Sequence, residues 1–203
     1  YKNEIRRARE RNIRVVMSLR SKAGRYPAWA PEPPYSDADR NEWWQHAFAN
    51  AYWLNVRNDF GVDDYEAGNE PDNSSQGNAG TSRDYLEFLL ITRDAIDYCY
   101  TTFLPGRQYR IFAGVCSDPR AELYPFLFRT AEDKFEVVDF HNYKQFPELI
   151  DGLKYIRTLM GDSDKELWMT EWGTFVHFRR ENGLLVGMND SLPVTLDFLN
   201  YLM

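Results

Sequence analysis

Five short apolar runs, each followed by a stretch with helical patterning, leave this chain few folds to choose from. The runs begin near residues 13, 64, 110, 135 and 166 and include Ile13–Leu19 (IRVVMSL), Arg110–Val115 (RIFAGV) and Phe135–Phe140 (FEVVDF). They are rich in Val, Ile and Phe with little alternation, the signature of strands covered on both faces. Between them lie helical patterns over Asp39–Asn58, Thr81–Phe103, Ala121–Arg129 and Phe146–Met160, with a charged helix, Glu4–Asn12, ahead of the first run. That cadence predicts right-handed crossovers in a parallel sheet, hence an α/β fold in one domain over residues 1–203. No internal repeat or low-complexity linker divides it.

The connecting segments are uneven. Ser21–Asp39 reads as a long loop with four prolines, and loops of that length usually have a function. Thr174–Asp190 reads as a long polar loop. Ser191–Met203 begins a further helix with Pro193 in its first turn.

Composition excludes several classes of partner. With 24 Lys and Arg against 31 Asp and Glu the net charge is −7, which disfavours nucleic acid and anionic membrane surfaces. No run approaches the ~18 apolar residues of a membrane span. The chain opens on Tyr1 rather than Met, so localisation is unknown from this end. Cys99 and Cys116 form neither a disulfide framework nor a metal spacing and read as buried thiols. His46, His141 and His177 show no metal-ligand spacing, and there is no phosphate-binding glycine loop or G-x-S-x-G elbow. No cofactor or metal is implied. Aromatic residues make up 16% of the chain, and Trp and Tyr beside acids suit the apolar faces of sugar rings.

Polar residues follow every strand: Ser18 and Arg20, Asn69 and Glu70, Ser117 and Asp118, His141 to Tyr143, and Glu171. In a parallel sheet all of these gather at one rim, where α/β barrels keep their chemistry. Glu70 lies in Tyr65–Asp72 (YEAGNEPD) and Glu171 in Leu167–Gly173 (LWMTEWG), each closing an apolar run. Two carboxyl groups meeting at one rim are the equipment for general acid and nucleophile work.

Asn69-Glu70-Pro71, His141-Asn142-Tyr143 and Thr170-Glu171-Trp172-Gly173, in that order at successive strand ends, resemble the clan A retaining glycoside hydrolases, and most of all glycoside hydrolase family 39. The resemblance implies a TIM barrel with Glu70 as acid/base and Glu171 as nucleophile. It further implies that Asn69 contacts the sugar 2-hydroxyl, that Tyr143 orients Glu171, and that His141 sits beside the acid/base. Trp29 and Trp172 would serve as sugar platforms, and a β-xylosidase-like carbohydrate substrate follows from the family. Retention needs the two carboxyls ~5–5.5 Å apart, one protonated and one ionised.

Against that pattern the chain supplies strands 3 to 7 of a barrel that has eight strands and ~250 residues. The expectation is a partial (β/α) TIM barrel of about five parallel strands with flanking helices. Its first and last strands would present unpaired edges, so self-association through those edges, as a homo-oligomer and most simply a dimer, is expected. The alternative is a catalytically impaired structural module that keeps the two glutamates.

Overall fold

A computed structural model describes residues 2–20, 36–73, 80–143, 146–172, 177–181 and 184–188. Helix α1 (Lys2–Glu10) leads into strand β1 (Val16–Leu19), and helix α2 (Asp37–Ala51) precedes β2 (Asp64–Ala67). Helix α3 (Ser82–Phe103) is followed by β3 (Arg110–Cys116), α4 (Leu123–Thr130), β4 (Val137–Asn142), α5 (Phe146–Met160) and β5 (Glu166–Trp172). The five strands form one parallel sheet in the order β1-β2-β3-β4-β5, the sequential order of a barrel wall.

Local chemistry sets the helix starts. Ser36 caps α2 and Thr81 caps α3, each in a reciprocal capping box with the aspartate three residues on, Asp39 and Asp84. The cap at Ser36 starts α2 two residues before the sequence pattern places it. Instead of running on to Asn58 as a regular helix, the chain turns π-helical over Tyr52–Arg57. Asn55 sits in that turn, buried, and its amide both donates to the Val62 carbonyl at 2.6 Å and accepts from the Val62 N–H at 2.9 Å. This side-chain pairing gives the segment before β2 the partners its backbone needs in a buried setting.

Trp43, Ala47 and Ala51 of α2 pack on α3, whose buried residues Tyr85, Phe88, Leu89, Thr92 and Ile96 recur at helical spacing. Each large apolar side chain removed from water here contributes about 1.5–3 kcal/mol. The one polar atom of Trp43, Nε1, donates to Thr92 Oγ1 at 2.9 Å, so the indole is buried without an orphaned donor.

One expectation is corrected. The segment read as a polar loop, Thr174–Asp190, contains two antiparallel strands, β6 (His177–Glu181) and β7 (Leu184–Met188). Asn182-Gly183 stands between them, the dipeptide most favoured in tight hairpin turns, and Leu184, Leu185 and Val186 supply β-forming residues. Average polarity concealed that local pattern. The remainder of the loop Ser21–Asp39 before Ser36, and the helix expected over Ser191–Met203, lie outside the described residues.

Two irregularities shape the rim. The pairing of β3 with β4 shifts register between Gly114 and Cys116, and that of β4 with β5 shifts between Phe140 and His141. The second shift lets Thr170 and Glu171, although consecutive, both reach side chains of the β4 segment. In a regular strand they would point to opposite faces.

The inward side chains stack in layers. Near the strand starts, Asp64 lies between Arg14 (3.3 Å) and Arg110 (2.8 Å), and Arg110 also pairs with Glu166 at 2.9 Å. Above them Phe112 meets Trp168 edge-on, and both arginines lie over the Trp168 ring. Glu66 is in register with Phe112 and Asp139 with Trp168, and the rim follows.

Candidate active site

The rim site begins with a strained turn. Glu70 has φ 46, the left-handed region that a non-glycine residue seldom occupies, and a strain of about 1–3 kcal/mol persists only when the surroundings over-determine it. The surroundings here are specific. The Glu70 N–H donates to the Val115 carbonyl at 2.9 Å, and the Glu70 carbonyl accepts from the Asn73 N–H at 2.9 Å. Asn73 Nδ2 donates to Glu70 Oε2 at 3.0 Å. Asp72 then ties this loop to the end of β3, accepting from the Ser117 and Asp118 N–H groups at 2.8 and 3.0 Å and from Ser117 Oγ at 3.1 Å.

His141 brings the two carboxylates together. Its Nδ1 lies 3.1 Å from Glu70 Oε1 and 3.6 Å from Glu171 Oε2, and its ring is fully buried. A carboxylate oxygen of Glu70 and one of Glu171 lie within 4.8 Å of each other. In a flat sheet, β2 and β5 would stand three strand spacings, roughly 14 Å, apart. The curvature of the sheet closes that gap. Tyr143 donates from its hydroxyl to Glu171 Oε2. Burial, reinforced by the neighbouring Glu171, raises the pKa of that hydroxyl, so Tyr143 keeps its proton and remains a donor.

The two acids differ in access. The Glu70 side chain is 6% exposed and that of Glu171 is 42% exposed. Glu171 is the more open of the two, whereas Glu70 is held by three neighbours in a drier setting. Asn69, which precedes Glu70, is also buried.

Among the residues expected at the site, Glu70, Glu171, His141 and Tyr143 meet directly, and Asn69 is their chain neighbour. Trp172 closes β5, but its side chain, like the whole of Trp29, lies outside the described residues. Asp118 has a loop role, accepting from the Arg120 N–H at 2.9 Å. Cys99 and Cys116 are buried free thiols, as the sequence suggested.

Sequence reasoning missed a second acid layer directly beneath. Glu66 and Asp139 are buried, and oxygens of both lie within 4.8 Å of each other and of a ring nitrogen of His141. Ser18 donates to Glu66 Oε1 at 3.3 Å, while Thr170 donates to Asp139 from its hydroxyl at 2.8 Å and from its N–H at 3.2 Å. Burial, with Asp139 close by, pushes the Glu66 carboxyl up to about 8. Burial likewise pushes Asp139 up to about 7. The signal in the sequence was a lone acid inside each apolar run, Glu66 in YEA and Asp139 in VVDF, the latter two residues from His141 and so on its face. The acids around His141 accept hydrogen bonds from Ser18, Asn73, Tyr143 and Thr170.

No protein-family model matches the chain, and no curated protein is similar to it in sequence. Solved structures are similar in fold. A glucosidase from Croceicoccus marinus superposes with a TM-score of 0.63 at 13% identity, over 87% of this chain and 37% of that one. A monomeric β-xylosidase from Caulobacter crescentus CB15 gives 0.59 at 14%, over 80% of this chain and 38% of its own. The GH53 catalytic domain of Ignisphaera aggregans gives 0.58 at 16%, over 89% and 52%. The described chain thus has the fold of part of a TIM-barrel glycosidase and spans between 37% and 52% of the length of these structures.

Proposed function

We propose that this chain carries the acid/base and nucleophile of a retaining glycoside hydrolase. The observation that carries the reading is the approach of the Glu70 and Glu171 carboxylates to within 4.8 Å, close to the ~5–5.5 Å of double displacement. Glu171, ionised and oriented by Tyr143, attacks the anomeric carbon as Glu70 passes its proton to the leaving glycosidic oxygen. The C–O bond to the aglycone breaks, and an ester between the sugar and Glu171 forms. Glu70, now a carboxylate, takes a proton from water, whose oxygen releases the sugar and frees Glu171.

Asn69 is assigned to the sugar 2-hydroxyl, His141 to the acid/base, and Trp29 and Trp172 to the apolar face of the ring. The substrate class is a carbohydrate, and a β-xyloside is the first to try, because a β-xylosidase is among the similar structures. Incubation with activated 2-fluoro glycosides tests the reading. The expected result is a covalent mass increase on Glu171 that is absent in Glu171→Ala. No adduct with xylosyl, glucosyl or galactosyl probes overturns it.

A structural reading has one observation in its favour. Among the described residues β1 and β5 each pair with a single strand, and β1 is buried fully only at Leu19. Edges of that kind pair with another chain, so self-association accompanies this reading. Light scattering at micromolar concentration tests it, and a monodisperse monomer counts against it.

A further inference from the structure

We infer that Asp139 and Thr170 are positioning residues for Glu171: the Asp139 side chain holds Thr170 as the extra residue of a bulge, and the bulge turns Glu171 toward the rim. The role of Glu171 as nucleophile rests on the glycosidase reading, whereas the staple between Asp139 and Thr170 is a matter of strand geometry.

Thr170 has no partner in the ladder. The pairing of β4 with β5 runs Val137 with Glu166, Val138 with Leu167, Asp139 with Trp168 and Phe140 with Met169. It then passes over Thr170 and resumes at His141 with Glu171 and Asn142 with Trp172. Bulges are rare between parallel strands and are over-represented next to active sites. Here the skipped residue decides which side chain stands beside His141. Had the ladder continued without the shift, His141 would pair with Thr170, and Glu171 would face the opposite side of the sheet. It would then lie away from Glu70, His141 and Tyr143.

A skipped residue leaves its backbone N–H without a ladder acceptor, at a cost comparable to a lost hydrogen bond. Asp139 supplies the substitute. Its Oδ1 accepts from the Thr170 N–H at 3.2 Å and its Oδ2 from Thr170 Oγ1 at 2.8 Å. Both oxygens of one buried side chain therefore grip the residue next to Glu171.

Asp139 is itself fixed. Its carbonyl accepts from the Tyr124 hydroxyl at 2.9 Å, and that hydroxyl accepts from the Cys116 N–H at 3.2 Å. Cys116 follows Val115, whose carbonyl accepts from the Glu70 N–H. The bulges that present the two rim acids are thus joined through Tyr124 and Asp139. Glu171 depends on this backbone support because its side chain is 42% exposed, and Tyr143 and His141 both meet it at Oε2.

Two substitutions at Thr170 separate positioning from packing. Thr170→Val keeps the branched shape and loses the hydroxyl, whereas Thr170→Ser keeps the hydroxyl and loses the methyl group. Labelling of Glu171 by an activated 2-fluoro glycoside is followed in both at varied probe concentration. The maximal labelling rate is expected to fall about tenfold in Thr170→Val, with the half-saturating concentration unchanged, and to recover in Thr170→Ser. A loss in Thr170→Ser with none in Thr170→Val, or equal rates in all three proteins, overturns the inference.

Hydrogen exchange reads the staple without any substrate. In Asp139→Leu, which keeps a branched shape and removes both acceptor oxygens, the Thr170 amide is expected to exchange about tenfold faster than in the parent protein. Amides of β3 are expected to stay as they are. Unchanged exchange at Thr170, or equal acceleration throughout β3, overturns the inference. A parent protein that takes up no probe overturns the glycosidase reading instead, and the exchange result then decides the staple by itself.

Discussion

The backbone N–H of Glu70 donates to the carbonyl of Val115 at 2.9 Å, and both residues are in the left-handed region, at φ 46 and φ 49. Val115 is β-branched, so its conformation is a true outlier, and it is the residue interposed by the register shift between Gly114 and Cys116. The bulge in β3 thus presents the one acceptor that the Glu70 turn requires. Strain in one loop is held by strain in the next strand.

Gly114 makes the bulge possible. It has φ 94, and a Cβ there would lie 2.4 Å from Tyr124 Cε1 and 3.0 Å from the Asp139 carbonyl oxygen. Gly114→Ala is expected to destabilise the protein by about 3 kcal/mol or more, through overpacking added to a disfavoured φ. Urea unfolding measures the loss, and a cost below about 1 kcal/mol would show that the bulge can relax.

Asp72 clamps the Glu70 loop to Ser117 and Asp118. Asp72→Ala is expected to cost roughly 1–3 kcal/mol, the range for losing charge-assisted hydrogen bonds. The sharper expectation is local, namely faster hydrogen exchange at the Glu70 amide than at amides of β4. Equal acceleration at both places would make Asp72 a general stabiliser with no special hold on the loop.

Tyr143→Phe removes the hydroxyl from Glu171 and leaves the ring. A hydrogen bond to a charged group contributes about 1.5–3 kcal/mol, so covalent labelling of Glu171 should slow roughly 10–100-fold. Thermal stability is expected to change little, because Tyr143 is only partly buried. Unaltered labelling kinetics would remove Tyr143 from the site.

Glu66 and Asp139 link stability to pH. In an unfolded chain such carboxyls ionise near pH ~3.9–4.3, whereas in the fold they titrate at about 8 and about 7. Between these limits the folded protein holds protons that the unfolded chain has released. Their contribution therefore lowers stability as pH rises from about 5 to about 8, and levels off above. A difference of roughly 1–3 kcal/mol in the pH dependence is expected between the parent protein and Asp139→Asn, the variant showing the flatter profile. Urea midpoints at four pH values check this, and a steeper fall in the variant would contradict the assignment.

How much of this was legible beforehand depended on the range of the interactions. Strand runs such as RIFAGV are local matters of periodicity, so the parallel α/β plan followed from the residues, whereas the cap at Ser36 and the π-helical turn after Ala51 moved the ends of α2 from where the pattern placed them. The antiparallel pairing of β6 with β7 joins segments close in the chain and was also local, but average polarity obscured it. Glu70 and Glu171 stood out because each closes an apolar run.

What the residues alone determined was the cadence of strands and helices and the gathering of Glu70, His141, Tyr143 and Glu171 at one rim. What only the tertiary structure decided was how these groups meet. Bulges at Val115 and in the β4–β5 pairing turn the carbonyl of one strand and two consecutive side chains of another toward shared partners. Sheet curvature brings β2 and β5 close enough for two carboxylates to share His141. It also places Glu66 beside Asp139, far apart in the chain, in one dry layer. The physical reason is that burial and charge proximity depend on distances across the sheet, and sequence spacing does not encode them.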